Sequence, residues 1–524
     1  MASLLSSLRT GLLGGGFRHG VHPPESKDLT SGVPIRRTPF PDEIVLPLSQ
    51  NAGAPARCLV RPGDRVERGD KIGEAQGFVS VPIHASAAGV VKAVELRPHP
   101  SGKLSEAVVI EVDRDSPQLP RPRLVPRWED LDPDGVRAAV KEAGVVGLGG
   151  AAFPTHVKLT PQKDHPVELL LINGAECEPY LTADHRVMVE YPERVHFGIR
   201  VMMQCLEVER AVIGVELNKP DAIEALRRTV PDDLDITVRG FEVKYPQGAE
   251  KMLIHAVTGD EVPSGRLPLH VGIVVQNVGS IAAIAEIFET GYPLVERIVT
   301  VTGPGVVRPS NLIVPVGTKA RDVLAFCGGV TEDAREIVFG GPMMGASQPD
   351  LDAPVLKGTS GITVLVRGQV RPRLSYPCIT CGHCLDACPV FLNPSELGKL
   401  AQAGRYDTML EHHLMDCMLC GSCSWVCPSN IPLSQMFAMA KGQVRREQQR
   451  EKERLAAEKA AEEEERERLA AERKVAEERE AAERAVEAGG GSGVGHGAGR
   501  PGGAPAPNAS PEEATAVPAA GGAS

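Results

Sequence analysis

Eight of the twelve cysteines fall into two copies of one spacing, and each copy ends in proline. Cys378, Cys381, Cys384 and Cys388 precede Pro389, and Cys417, Cys420, Cys423 and Cys427 precede Pro428. Both copies read C-x2-C-x2-C-x3-C-P, the run that holds a pair of [4Fe-4S] clusters. Each cluster needs four thiolates. Three cysteines separated by two residues wrap three corners of a cube, and the fourth lies too far along to close it. It crosses to the other cluster. Cys378, Cys381, Cys384 and Cys427 are therefore assigned to one cluster, and Cys417, Cys420, Cys423 and Cys388 to the second. Zinc sites use separate C-x2-C pairs rather than four cysteines in one run. Disulfides belong to small secreted domains, and nothing in this chain reads as secreted. The other four cysteines, Cys58, Cys177, Cys205 and Cys327, are scattered and read as buried thiols.

A second group of residues could hold a nucleotide. The stretch Gly147-Leu148-Gly149-Gly150-Ala151-Ala152-Phe153-Pro154 is rich in glycine. Glycines let the backbone approach a phosphate, and a helix start behind them favours its charge. Gly147, Gly149 and Ala152 match the spacing of the dinucleotide fingerprint. That fingerprint follows a strand, however, and the residues before Gly147 have helical periodicity. A glycine-rich turn without a ligand fits the loop as well. Asn173-Gly174-Ala175-Glu176-Cys177-Glu178-Pro179-Tyr180 follows directly on an apolar run at 169–172. Acidic residues at the carboxyl end of a strand stand where ligands bind in α/β sheets. Tyr245-Pro246-Gln247-Gly248-Ala249-Glu250 and Gln276-Asn277-Val278 come later in the chain.

The elements that must position these residues are partly legible. A chain of 524 residues holds several domains, and its net charge of −11 argues against a nucleic-acid partner. No stretch reaches the length of a membrane span, and the interrupted leucines near the N-terminus make a poor signal peptide. Residues 1–43 read as an irregular arm with Phe17, His19, His22, Pro23 and Pro24. Residues 44–113 are short β runs with turn signals. Residues 130–290 read as an α/β domain, with a helical stripe at Val136, Ala139, Val140 and Ala143 ending near Gly144. Residues 297–345 are short strands around one helix near Val323 and Leu324. In the cysteine-rich module at 368–440, Asn393, Pro394 and Glu396 occupy N-cap, N1 and N3 of a helix. Leu397 and Leu400 follow at helical spacing, and Tyr406, Met409 and Leu410 start a second stripe, so this module is α-helical. Residues 441–487 read as a solvated charged helix, and residues 488–524 as a disordered tail.

Taken in order, these parts resemble the RnfC-type family of Rnf/Rsx electron-transport complexes. They also resemble the NADH-binding flavoprotein subunits of respiratory complex I. The resemblance covers roughly 15–440: an HPPE arm, a hammerhead, a flavin domain, an SLBB-like segment, then the double-cluster module. It implies an α+β multidomain chain. The parts are a β-rich barrel-sandwich hammerhead, an α/β flavin/NADH-binding domain, a β-grasp SLBB-like segment, an α-helical ferredoxin-like module and the tail. The VRPGDRVERGDKIGE stretch with HASAAGVV is similar to biotinyl and lipoyl domains, yet the residues from Ile72 to Val91 include no lysine to carry a swinging arm. A docking role for this module is the expectation.

The resemblance further implies FMN, NAD(H) as substrate and two [4Fe-4S] clusters. Gly147, Gly149, Gly150 and Lys158 would line the FMN phosphate and ribityl chain, and Phe153 would pack near the nicotinamide. Asn173 and Glu176 would face the flavin, Glu178 would meet ribose hydroxyls, and Glu250 and Asn277 would complete the pocket. The chain departs from complex I at Leu148 (arginine there), Ala152 (glycine), Ala175 (aspartate) and Ala249 (glutamate). A flavin changes two-electron hydride chemistry into one-electron cluster chemistry, so a nucleotide loop and clusters in one chain make mechanistic sense. The implied function is that of a peripheral oxidoreductase component on the cytoplasmic side of the inner membrane. It would pass electrons between NAD(H) and, indirectly, ferredoxin, in a complex coupled to ion translocation. Two alternatives stand beside it: a soluble flavin iron–sulfur reductase of the cobalamin-reductase kind, and an electron-transfer module that binds no nucleotide.

Overall fold

The computed structural model describes residues 16–120, 127–161, 164–370 and 374–489. Residues 1–446 belong to one compact unit and residues 447–524 to a second.

The centre of the first unit is a four-stranded sheet in the order Asp235–Phe241, Arg210–Glu216, Leu169–Gly174, Ile273–Asn277, all parallel. Its two central strands and Ile273–Asn277 are short apolar runs buried on both faces, while the edge strand Asp235–Phe241 exposes Asp235 and Thr237. Leu170 and Ile172 point into a core shared with helices Pro133–Glu142, Ala183–Glu190, Pro192–Leu206, Pro220–Arg228 and Val278–Thr290. Leu169 and Leu171 alternate to the other face, under helix Glu250–Thr258. The chain moves outward from Leu169–Gly174 through two strands, then returns to lay Ile273–Asn277 on its opposite side. That reversal is a switch point, where a crevice opens at the carboxyl ends of the strands. Asn173 and Asn277 are register partners at that edge.

The β runs at 44–113 form two small sheets around Ile44, Leu46, Ile72, Ile83, Val108 and Ile110. The turn between Lys71–Glu74 and Ile83–His84 is tied down. The Phe78 carbonyl accepts a hydrogen bond from His156 at 2.8 Å, and the two rings meet edge-on at 5.7 Å. These contacts tie the turn to helix Thr155–Lys158 of the α/β domain.

The sequence confines the third module to 297–345, but its six-stranded sheet reaches further. Gly361–Val366 lies inside it, between Glu296–Thr302 and Ala334–Phe339. Ile35–Arg37, from the arm read as irregular, pairs in parallel with Ser310–Pro315 at its edge. Three residues carry no strand signal of their own; the open edge of a distant strand supplies it.

In the cysteine-rich module, Asn393 caps helix Pro394–Gln402 by accepting the Glu396 N–H. Helix Tyr406–Glu411 and the start of helix Leu433–Gly489 complete a core of Leu397, Leu400, Met409, Leu414 and Phe437. The long helix begins before the expected boundary at 441 because Phe437, Ala440 and Val444 form its buried face. Residues 447–486 are exposed throughout, with ion pairs four apart such as Arg454–Glu458 and Arg484–Glu480. Residues 1–15 of the arm and 490–524 of the tail lie outside the described residues.

Candidate functional site

The switch-point edge gathers most of the residues singled out for a nucleotide. Asn173 donates to the Gly248 carbonyl at 2.7 Å, and Asn277 donates to the Asp184 carboxylate at 2.6 Å. Asn277 also caps helix Val278–Thr290 by accepting the Ser280 N–H. The glycine loop lies against this edge. A Cβ on Gly149 would stand 3.4 Å from Asn277, whereas one on Gly150 would meet nothing within 4 Å. The loop is thus packed beneath and open above, the shape of a phosphate cradle. Leu148 is clamped from two sides: its N–H donates to Ser280 Oγ at 2.8 Å, and its carbonyl accepts from Arg297 at 2.9 Å. Phe153 closes the loop through its carbonyl, which accepts the Gly147 N–H at 2.7 Å. Ala152 sits at φ 49°, in the left-handed region where the related glycine would be free of strain.

Lys158 is tied to the same strand that carries Asn277. It donates to Glu250 at 2.6 Å and to the Val275 carbonyl at 3.1 Å. Among the described residues, Gln247 and Gln276, neighbours of Gly248 and Asn277, find no partner for their buried amide Nε2 atoms. Orphaned donors beside a ligand edge indicate that acceptors come from elsewhere. A glycine cradle, an ammonium and free amide donors fit FMN, whose phosphate is anionic and whose ring presents acceptor atoms.

Both carboxylates of the acidic loop meet backbone donors. Glu176, expected to face the flavin, accepts the N–H groups of Asp184 and His185 at 2.8 and 3.1 Å. It satisfies the start of helix Ala183–Glu190, where unpaired N–H groups favour a carboxylate. Glu178, expected at ribose hydroxyls, accepts the N–H groups of Met343 and Met344 at 2.7 and 3.1 Å. Both carboxylates are committed to backbone donors that lie elsewhere in the chain, one of them in another module. Two buried ammonium groups hold the loop from behind. Lys27 donates to the carbonyls of Glu178 and Leu181, and Lys219 to that of Ala175.

Asp184 and Arg297 were not singled out from the sequence. Burial, then the charge of Glu176, pushes the Asp184 carboxyl up to about 7. Burial pulls the Arg297 guanidinium down to about 10, against the attraction of Asp184. A polar residue following the acidic loop was the only local signal for Asp184, and Arg297 sits in an ordinary strand pattern.

The cysteines form two cavities. Cys378, Cys381, Cys384 and Cys427 line one, and Cys388, Cys417, Cys420 and Cys423 line the other. Each takes three cysteines from one run and one from the other. Among the described residues, no group of three or more His, Cys, Asp or Glu could hold a metal ion. The thiols ring a space instead, which suits a group of several atoms. Thr380 and Gly382 in one run, and Leu419 and Gly421 in the other, share left-handed φ values at matching positions. Such turns point backbone N–H groups inward, and hydrogen bonds to sulfur tune cluster potentials. Cys378 and Cys381 are exposed, while Cys388, Cys420 and Cys423 are buried, so one cavity is outer and the other inner.

The inner cavity adjoins the switch-point edge. Tyr245 donates its hydroxyl to the Cys420 carbonyl at 2.7 Å. Val21, Tyr245, Ala387 and Cys420 form one buried cluster, with Cys177, Met343 and Met418 packed on it. Asp416, next to Cys417, accepts from Ser264 at 2.5 Å and pairs with Lys251 at 3.6 Å. Of the four scattered cysteines, Cys205 and Cys327 are buried, whereas Cys58 and Cys177 are half-buried.

Comparison with known proteins agrees with this layout. Residues 140–286 match the Nuo51 FMN-binding domain, and 15–115 the RnfC barrel sandwich hybrid domain. Residues 298–347 match the SLBB domain, and 375–431 the 4Fe-4S dicluster domain. Three relatives are C-type components of ion-translocating complexes. The chain is 45% identical over 401 residues to that of the proton-translocating ferredoxin:NAD(+) oxidoreductase complex of Clostridium ljungdahlii, covering 76% of this chain and 88% of that one. It is 44% identical to that of the Na(+)-translocating ferredoxin:NAD(+) oxidoreductase complex of Acetobacterium woodii, covering 77% and 91%. It is 41% identical to that of the ion-translocating oxidoreductase complex of Rhodobacter capsulatus, covering 83% and 84%. Among solved structures, an NAD+-reducing [NiFe]-hydrogenase in the air-oxidized state is similar, with a TM-score of 0.44 and 21% identity. The match covers 60% of this chain and 64% of that one, so this chain spans less than two thirds of the hydrogenase chain.

Proposed function

Because the chain belongs to the RnfC-type family of ion-translocating ferredoxin:NAD(+) oxidoreductase complexes, we propose that it is the component that exchanges electrons with NAD(H). FMN and two [4Fe-4S] clusters are its cofactors. When bound, FMN supplies the exchange between a hydride and single electrons, which the clusters can carry. The chain's own residues bind and orient. The loop at Gly147, Gly149 and Gly150 and the Lys158 ammonium hold the phosphate. Asn173, Asn277 and Gln247 present amides to the ring, and Glu250 steadies Lys158. Phe153 covers the nicotinamide side. Glu176 and Glu178 act one step back, by fixing the helix start and the methionine loop that bound the site. Cys388, Cys417, Cys420 and Cys423 hold the inner cluster; Cys378, Cys381, Cys384 and Cys427 hold the outer one.

One observation supports this reading above the rest: buried contact runs from the switch-point edge to the inner thiol cavity through Tyr245 and Cys420. Electrons pass between the flavin and the inner cluster, and between the inner cluster and the outer, exposed one. Among the described residues, no helix is long and apolar enough to cross a membrane. We assign the chain to the cytoplasmic side of the inner membrane, held peripherally by the rest of the complex and linked to ferredoxin through it.

The test is anaerobic. The purified chain is reconstituted with iron, sulfide and FMN, and NADH is added. Bleaching of both flavin and cluster absorbance is expected. Clusters that form while NADH leaves all absorbance unchanged would overturn the reading. Fractionation of cells with and without the remaining subunits tests the location: membrane association is expected only when they are present.

A further inference from the structure

The arm ahead of the first β module touches both redox regions. His19 Nδ1 lies 3.1 Å from the Cys388 carbonyl, and its ring packs on Phe391 at 4.6 Å. A carbonyl only accepts, so Nδ1 carries the proton and donates. Two residues on, Val21 makes a two-way backbone bridge with Tyr245, at 2.8 and 2.9 Å. Tyr245 in turn donates to the Cys420 carbonyl at 2.7 Å. Lys244, beside it, donates to the Phe17 carbonyl at 2.9 Å and lies 4.8 Å over the Phe17 ring. At the other end of the segment, Lys27 holds the acidic loop through the carbonyls of Glu178 and Leu181.

Two of the four cysteines around the inner cavity, Cys388 and Cys420, are therefore held by their carbonyls. One is held by the arm and the other by the arm's bridging partner. The backbone is shaped for this. His19 and Gly20 have φ of 62° and 83°, a left-handed pair that turns the chain between His19 and Val21. A Cβ on Gly20 would stand 2.6 Å from the Tyr245 carbonyl, so only glycine permits the approach.

We propose that residues 17–27 are a strap that fixes the inner cluster against the flavin edge, with His19 as its positioning residue. The proposal rests on the reading of the chain as an electron carrier. Electron transfer falls steeply with distance, and the contacts around a cluster set its potential. A strap gripping the Cys388 and Cys420 backbones governs both.

The experiment uses the full chain reconstituted with iron, sulfide and FMN. His19→Ala removes the donor and the ring. His19→Asn keeps a donor at the Nδ position and tolerates left-handed φ. His19→Ala is expected to leave flavin reduction by NADH unchanged, while the cluster reduction that follows slows about tenfold. The EPR spectrum of the dithionite-reduced inner cluster shifts, and His19→Asn restores rate and spectrum. A His19→Ala protein with wild-type spectrum and wild-type cluster reduction overturns the strap. If His19→Ala loses the inner cluster, His19→Asn decides: retention supports the donor, and loss in both overturns it. If NADH fails to reduce flavin in the wild type, the functional reading falls, but the dithionite spectra still judge the strap.

Discussion

Cys388 and Cys427 are the cysteines whose roles depend most on the crossing of the two runs. Each stands last in its own run and lines the cavity of the other. Cys427→Ser is expected to alter the EPR signal of the outer cluster and leave the inner one intact, and Cys388→Ser the reverse. The opposite assignment would mean that each run closes its own cluster. Asp184 offers a second test. Its carboxyl is raised from 3.8 to about 7 by burial first and the Glu176 charge second. The folded state therefore prefers the protonated acid. That preference contributes stability in full below about 3.8 and loses it as pH rises through about 7. Asp184→Asn stays neutral and can still accept from Asn277. Its urea midpoint should gain on wild type between about pH 4 and about pH 8. A constant difference across that range would assign the ionisation elsewhere.

At the scale of elements, the nucleotide loop owes its shape to a neighbour. Arg297, on a strand of the six-stranded sheet, grips the Leu148 carbonyl, and Ser280, at a helix start, takes its N–H. The guanidinium beside the loop therefore comes from another module. The adjacent Glu296 joins three elements. Arg37 of the arm strand pairs with it at 2.5 Å, and Arg68 of the first β module pairs with it as well. Burial alone would raise the Glu296 carboxyl, but the two guanidinium groups hold it below its ordinary value. Its contribution is present above the unfolded pKa and fades as pH falls through the lower folded one. Glu296→Gln leaves Arg68, only 6% exposed, with an unmatched charge. A loss of about 3 kcal/mol in urea unfolding is expected at neutral pH. A loss near zero would mean that solvent already screens the joint.

At the scale of the molecule, the chain divides at Arg446. The sites described lie in residues 17–446, and residues 447–486 expose all their side chains. Ending the chain after Arg446 should leave iron content and flavin binding unchanged and shift the thermal midpoint by no more than about 2 °C. A larger drop, or lost iron, would show that the charged helix supports the core.

What could be read from the sequence alone was local. Cysteine spacing specified cluster chemistry, since a tight loop must wrap three corners of a cube. Asn393, Pro394 and Glu396 marked a helix start because a cap needs only three neighbouring residues. The apolar run from Leu169 to Ile172 identified a buried strand, and the asparagine that follows it stands at that strand's carboxyl end. The tertiary structure decided whatever depended on distant partners. Glu178 turned to Met343 and Met344, Gly361–Val366 entered a sheet begun far earlier, and His19 met a carbonyl 369 positions away. A cap, a turn or an amphipathic stripe leaves a periodic trace in the chain. A hydrogen bond to a remote backbone carbonyl leaves none, because every residue has that carbonyl and only the packing of whole modules selects which one is met.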